Sequence, residues 1–148
     1  MQAQDVMTTW VATISAGATV RDAAKLMVEH RVSALPVLDE HDMLVGIVSE
    51  GDLVRRSELG TDTGGSWWLR VLAENTARDY VKAHATAVRD VMTSPVLSVR
   101  PSTPLREVAG LLEKHRIKRV PVLQAGRLVG IVSRADLVRR LAEIQTRA

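Results

Sequence analysis

Residues 5–56 read DVMTTWVATISAGATVRDAAKLMVEHRVSALPVLDEHDMLVGIVSEGDLVRR, and residues 90–140 read DVMTSPVLSVRPSTPLREVAGLLEKHRIKRVPVLQAGRLVGIVSRADLVRR. The two stretches are one pattern written twice, with about half of the aligned positions identical. A single one-residue gap, in the turn after Leu38 or Leu123, brings their ends into register. An internal repeat of this kind fixes the architecture before any single residue is weighed. A unit of roughly 50 residues buries too little surface to be comfortable alone. The two copies are therefore expected to pack on each other about a pseudo-twofold axis.

Periodicity gives the elements of each copy. Thr13-Ile14 and Ser98-Val99 read as short strand segments. A helix follows, with Val20, Ala23, Ala24, Met27 and Val28 on one stripe and Leu105, Val108, Ala109 and Leu112 on the matching one. Thr19 with Asp22 has capping-box spacing, and Thr103 before Pro104 reads as an N-cap followed by proline in the first turn. Leu35–Leu38 and Leu44–Val48 form a hairpin around the polar turn Asp39–Asp42. Val120–Leu123 and Leu128–Val132 repeat it around Ala125-Gly126. A last helix starts near Ser49 or Ser133. The predicted fold class is α/β in the broad sense, α+β in detail, with the order β-α-β-β-α twice.

Three segments follow: a first repeat over residues 1–58, a linker with a helix over 59–85, and a second repeat over 86–148. Glu58–Ser66 are rich in Gly, Thr and Asp and read as a loop. Ser66–Ala85 read as helical, through Trp67, Trp68, Val71, Leu72, Tyr80 and Val81. Adjacent tryptophans on a helix point far apart, so one is expected to pack on the repeats and the other to serve a partner chain. The short charged tail after Leu141 is expected to fray.

Composition narrows the function classes. The chain has 148 residues, is 46% hydrophobic, and contains no cysteine. Disulfides and thiolate metal sites are excluded. Met1–Val6 carry neither the basic nor the apolar stretch of a signal peptide, and no apolar run is long enough to span a bilayer. A cytoplasmic protein with no membrane partner is the simplest expectation. The formal charge is +3 and the pI is near 9.8. With no Phe and one Tyr, stacking platforms for nucleic acid are scarce. The paired arginines Arg55-Arg56 and Arg139-Arg140 are better explained as cations near helix C-termini. His30 and His115 occupy matching positions near helix ends, without the further ligands a metal site needs.

Both repeats carry Gly-Ile-Val-Ser-x-x-Asp, at Gly46–Asp52 and at Gly130–Asp136. A strand runs into a helix there. Ser49 with Asp52, and Ser133 with Asp136, have capping-box spacing, and a cap needs no ligand. The same geometry also suits a nucleotide. A helix N-terminus offers free N–H groups and a positive dipole end to a phosphate. A carboxylate has two acceptor oxygens and can take both hydroxyls of a ribose.

The whole pattern resembles the CBS-domain family, named for cystathionine β-synthase, whose tandem pairs are called Bateman modules. The resemblance rests on Asp5-Val6-Met7-Thr8 and Asp90-Val91-Met92-Thr93, on Leu35-Pro36-Val37 and Val120-Pro121-Val122, and on the two Gly-Ile-Val-Ser-x-x-Asp runs. No one motif is specific, but their order and spacing in duplicate are. The linker, with Ser66-Trp67-Trp68-Leu69 and the run Ala77–His84, resembles a bacterial subgroup in which some members carry a further BON domain after the pair. No such domain follows within the 148 residues.

The resemblance implies a non-catalytic regulatory module that binds an adenine nucleotide in clefts between the repeats. AMP is the first choice, with ADP, ATP, NAD or an adenosyl compound in the same class. It implies that Asp52 and Asp136 hold ribose and that Ser49 and Ser133 approach phosphate. The backbone at Thr13, Ile14, Ser98 and Val99 would face the base, and Leu35 and Val120, each before its proline (Pro36, Pro121), would cover its apolar faces. Lys118 and Arg119 precede Val120 where Ser33 and Ala34 precede Leu35, so only the second repeat offers phosphate a basic pair; as strand-edge charges they need no ligand.

Two other classes compete. One is a ligand-free structural dimerisation module. The other is an enzyme, for which there is no nucleophile elbow, metal-ligand cluster or Cys-His arrangement. The apolar faces around Leu53-Val54 and Leu137-Val138-Leu141 point to a homodimer. The output partner is not encoded in this chain.

Overall fold

The computed structural model describes residues 1–53 and 86–145. The expected linker helix with Trp67, Trp68 and Tyr80, and the pair Arg55-Arg56, lie outside the described residues.

The chain divides into two compact units, Ala12–Val96 and Met1–Val11 with Leu97–Ala148. The division does not follow the sequence repeats. The leader that opens the first repeat belongs to the unit of the second. The leader that opens the second repeat, through Val96, belongs to the unit of the first.

In the first unit, β1 (Ile14–Ser15) pairs in parallel with β2 (Ala34–Leu38), and β2 pairs antiparallel with β3 (Leu44–Ser49). Helix α1 (Val20–His30) packs against β2, and residues 50–53 are helical. The leader adds a short helix α2 (Val88–Val91). The second unit repeats the plan with a 3-10 turn at Ala3–Asp5, helix α3 (Leu105–Lys114), the antiparallel hairpin β4 (Arg119–Gln124) and β5 (Arg127–Ser133), and helix α4 (Arg134–Gln145). There the parallel strand shrinks to one bridge, Val99 with Val122.

Proline explains why the parallel strand is so short. The Val99 N–H donates to the Pro121 carbonyl at 3.0 Å, and the Leu123 N–H donates to the Val99 carbonyl at 2.8 Å. The next rung upstream would need an N–H from Pro121, which has none. Ile14 faces Val37 in the first unit, which puts Pro36 in the same place.

The helices follow their sequence signals with three corrections. The capping box at Thr19 and Asp22 is formed, with bonds of 3.1 and 3.0 Å. At α3 the N-cap is Pro104, and the Thr103 hydroxyl accepts instead from the Arg100 N–H at 2.9 Å. On α1 the buried stripe is Val20, Ala23 and Met27, joined by half-buried Leu26. Ala24 is exposed and Val28 is 79% exposed. The helix rests on its sheet along a narrow line, so the wider stripe that the pattern suggests is left partly in water. On α3, Val108 and Leu112 are buried as expected, with Leu105 and Ala109 half-buried. Helix α4 runs unbroken through Gln145, further than the fraying expected after Leu141.

The hairpin turns differ for a chemical reason. Ala125 and Gly126 both have positive φ, 54° and 79°, the signature of a two-residue type I′ turn. In the longer first turn, Asp39 Oδ1 accepts from the N–H of His41 at 2.8 Å and of Met43 at 3.0 Å. The bonds from Met43 and His41 hold the Asp39 carboxyl below the usual carboxylate range.

Each leader is pinned to the last strand of its unit. Thr93 exchanges backbone hydrogen bonds with Ile47 at 2.8 and 3.1 Å, and Thr8 does so with Ile131 at 2.8 and 2.9 Å. A glycine sits beside each contact. A Cβ on Gly130 would stand 2.6 Å from Met7 Sδ and 3.0 Å from the Thr8 carbonyl oxygen; one on Gly46 would meet Met92 Cγ at 2.9 Å and the Thr93 carbonyl oxygen at 3.1 Å. We therefore expect Gly130→Ala to destabilise the protein by about 1–3 kcal/mol through overpacking. A chemical-denaturation midpoint equal to that of wild type would contradict this close approach.

Candidate ligand site

The junction between β3 and the following helical turn is built around one carboxylate. The Ser49 N–H donates to Asp52 Oδ2 at 3.0 Å, and the Asp52 N–H donates to Ser49 Oγ at 3.2 Å. This is the capping box the spacing predicts. Asp52 is only 4% exposed. Its second oxygen, Oδ1, accepts from the Thr93 hydroxyl at 2.9 Å. A buried carboxylate is tolerated because donors offset its desolvation.

The junction between β5 and α4 repeats this arrangement. Asp136, 5% exposed, accepts at Oδ2 from the Ser133 N–H at 2.8 Å and the Ser133 hydroxyl at 3.0 Å. The Asp136 N–H donates to Ser133 Oγ at 3.1 Å. Its Oδ1 faces the Thr8 hydroxyl at 3.4 Å and also accepts from the Arg139 guanidinium. Arg139 is one of the paired arginines; it bonds the carboxylate of the first turn, three residues back, and not the end of the helix.

The other predicted site residues fall around these junctions in each unit. Leu35 and Val120 are fully buried and Pro36 and Pro121 nearly so; Leu35 and Val120 belong to the apolar cores of their units. Ile14 and Val99 are buried beside the prolines, while Thr13 is half-buried and Ser98 is exposed. Arg119 is half-buried and stands opposite Ser133 in the hairpin register; Lys118 is exposed, and its carbonyl accepts from the Arg134 N–H at 2.9 Å. A groove of about 920 Å³ in the second unit takes in Ser98, Val99, Arg100, Gln124 and Gly126 but neither Ser133 nor Asp136. It opens at the turn end of the hairpin, away from the capped junction.

Two features escaped the sequence reading. Thr8 and Thr93 belong to the quoted leader motif, yet nothing local marks them as partners of carboxylates 128 and 41 residues away. The second is the residue after each capping serine. It is Arg134 in one junction and Glu50 in the other, a difference visible by aligning the repeats. The Glu50 N–H donates to the Ser33 carbonyl at 3.0 Å, just as Arg134 does to Lys118. The basic group at the second junction is thus Lys118, Arg119 and Arg134, where the first has Ser33, Ala34 and Glu50. Among the described residues, no cluster of His, Asp or Glu could hold a metal ion, and no helix is long and apolar enough to cross a membrane.

Comparison with known proteins agrees with this geometry. The sequence profile of the CBS domain matches residues 3–58 and 88–143. The CBS domain-containing protein YhcV of Bacillus subtilis is 34% identical over 134 residues, which cover 90% of this chain and 81% of that protein. The crystal structure of the CBS-pair protein CBSX2 from Arabidopsis thaliana superposes with a TM-score of 0.79 at 34% identity, covering 99% of this chain and 98% of that one. The CBS domain pair of protein MJ0100, solved with 5′-methylthioadenosine and S-adenosyl-L-methionine, gives a TM-score of 0.71 at 26% identity and covers 97% of each chain. CBSX2 has also been solved with AMP; that structure gives a TM-score of 0.73 at 33% identity, with 97% of this chain and 98% of that one covered. Two profile matches, one on each repeat, and a fold shared over nearly the whole length establish that this chain is a tandem pair of CBS domains and belongs to the CBS-domain family.

Proposed function

We propose that this protein is a non-catalytic regulatory module that binds an adenine nucleotide, with AMP the first choice. The observation that carries the reading is the duplicated junction. In each, a strand delivers a serine to a helix N-terminus, and a buried aspartate stands three residues on. The free N–H groups of a helix start suit a phosphate, and a carboxylate suits a ribose diol. The AMP complex of CBSX2 and the adenosyl complexes of the MJ0100 pair support this ligand class. A cytoplasmic location is part of this proposal. The caps themselves favour the second reading, a ligand-free structural module, because they account for Ser49, Asp52, Ser133 and Asp136 without a ligand.

The two readings separate cleanly. On the first, AMP raises the melting temperature in proportion to the logarithm of its concentration above Kd. Asp136→Asn, which keeps the shape but loses the charge, weakens AMP binding by about 1–3 kcal/mol. If AMP, ADP, ATP, NAD and S-adenosylmethionine all give no shift in melting and no heat in calorimetry, the structural module is the reading that stands.

The basic group at the second junction is proposed to select phosphorylated ligands. Arginine offers a planar fork of donors to phosphate oxygens. Arg119→Ala is expected to lower AMP affinity several-fold and leave adenosine affinity unchanged; an equal loss for both would assign Arg119 to the fold.

We further propose that two copies associate. Val138, Leu141 and Ile144 are 65%, 59% and 51% exposed on α4, an apolar line of the kind that closed self-association covers. Leu137 and Leu53, by contrast, are half-buried against their own cores. Light scattering at micromolar concentration should report twice the chain mass, and Leu141→Glu should return it to one.

A further inference from the structure

We propose that Thr93 is a positioning residue for ligand binding, which aims the Asp52 carboxylate at a ribose. The proposal rests on the nucleotide reading and adds to it a residue supplied by the leader of the other repeat. The Asp52 carboxylate has two torsions that must be fixed before both oxygens can meet a diol. The capping bond from the Ser49 N–H fixes Oδ2 at 3.0 Å. The Thr93 hydroxyl fixes Oδ1 at 2.9 Å, well within the range of an O–H···O bond to a charged acceptor.

Thr93 is itself held. Its N–H and carbonyl are both bonded to Ile47, the residue two before Ser49 on β3. The hydroxyl therefore has a fixed origin, and the carboxylate plane is set from both ends. Each carboxylate oxygen has two acceptor positions, so a bond to Ser49 and one to Thr93 leave capacity for ligand hydroxyls. Such pre-set geometry raises affinity by removing the cost of ordering the side chain on binding.

The counterpart in the other unit is weaker in geometry. Thr8 Oγ1 lies 3.4 Å from Asp136 Oδ1, longer than an ordinary O–H···O bond. The Arg139 guanidinium occupies the same oxygen, from a side chain that is 70% exposed. Loss of the Thr8 hydroxyl should therefore matter less than loss of the Thr93 hydroxyl.

The test is calorimetric titration of wild type, Thr93→Val, Thr93→Ser and Thr8→Val with AMP and with 2′,3′-dideoxy-AMP, which has no ribose hydroxyls. Valine keeps the branched shape and removes the donor; serine keeps the donor. The proposal expects Thr93→Val to weaken AMP by about five- to tenfold, with dideoxy-AMP unchanged, Thr93→Ser near wild type and Thr8→Val the smaller effect. Should the valine variant fail to fold, Thr93→Ala, which leaves room for a water, carries the same comparison. An equal loss for both ligands, or no loss for either, overturns the positioning role while leaving the nucleotide reading intact. A wild-type protein that binds neither ligand overturns the nucleotide reading and this proposal with it.

Discussion

Everything in each unit depends on a close approach of two backbones at a glycine. The leader lies against the last strand at Gly46 in one unit and at Gly130 in the other, at a distance that leaves no room for a Cβ beside the methionine and the threonine carbonyl. The leader threonine then completes the edge of the sheet through Ile47 or Ile131. An exposed strand edge is a liability, and the leader covers it. The contact also brings the threonine hydroxyl to the carboxylate behind the strand, within bonding distance for Thr93 and at the longer 3.4 Å for Thr8. Glycine, leader and aspartate form one arrangement in each unit.

The buried carboxylate links fold and function. It caps the next helix and faces the leader threonine, and on the proposed reading it also holds the ribose. A capped helix start has its first turn ordered before a ligand arrives, so its N–H groups and dipole are already placed. The structural and ligand-binding readings of Ser-x-x-Asp are thus not exclusive in physical terms. The same bonds that hold the helix would aim the site.

The copies diverge in charge more than in shape. The hairpin pairing, the Ser-x-x-Asp capping bonds and the backbone bonds of the leader threonine recur in both units, whereas the junction flanks read Ser33, Ala34, Glu50 in one unit and Lys118, Arg119, Arg134 in the other. Backbone geometry constrains glycine, proline, serine and aspartate because each has a steric or hydrogen-bonding duty. The flanking positions change their side chains while the backbone bonds there, Glu50 to Ser33 and Arg134 to Lys118, stay the same, so the copies differ at this place in charge.

The repeat, the hairpins and the capping boxes at Thr19, Ser49 and Ser133 are legible in the residues alone. Each is a local pattern: alternation along a strand, an apolar stripe along a helix, a serine three residues from an acid. The strand expected at Ser98-Val99, by contrast, is one bridge, and the short helix Val88–Val91 has no such signal. The likeness to CBS pairs is legible too, because order and spacing in duplicate carry that information. The pattern placed the apolar stripe of α1 too broadly, since how wide a face is covered depends on what packs there, and Val28 lies in water. That each leader belongs to the unit of the other repeat's strands, and that the Thr93 hydroxyl donates to Asp52, emerges only in three dimensions. Those contacts join residues 41 positions apart, and 128 for Thr8 and Asp136. Local periodicity holds no record of a partner at that distance.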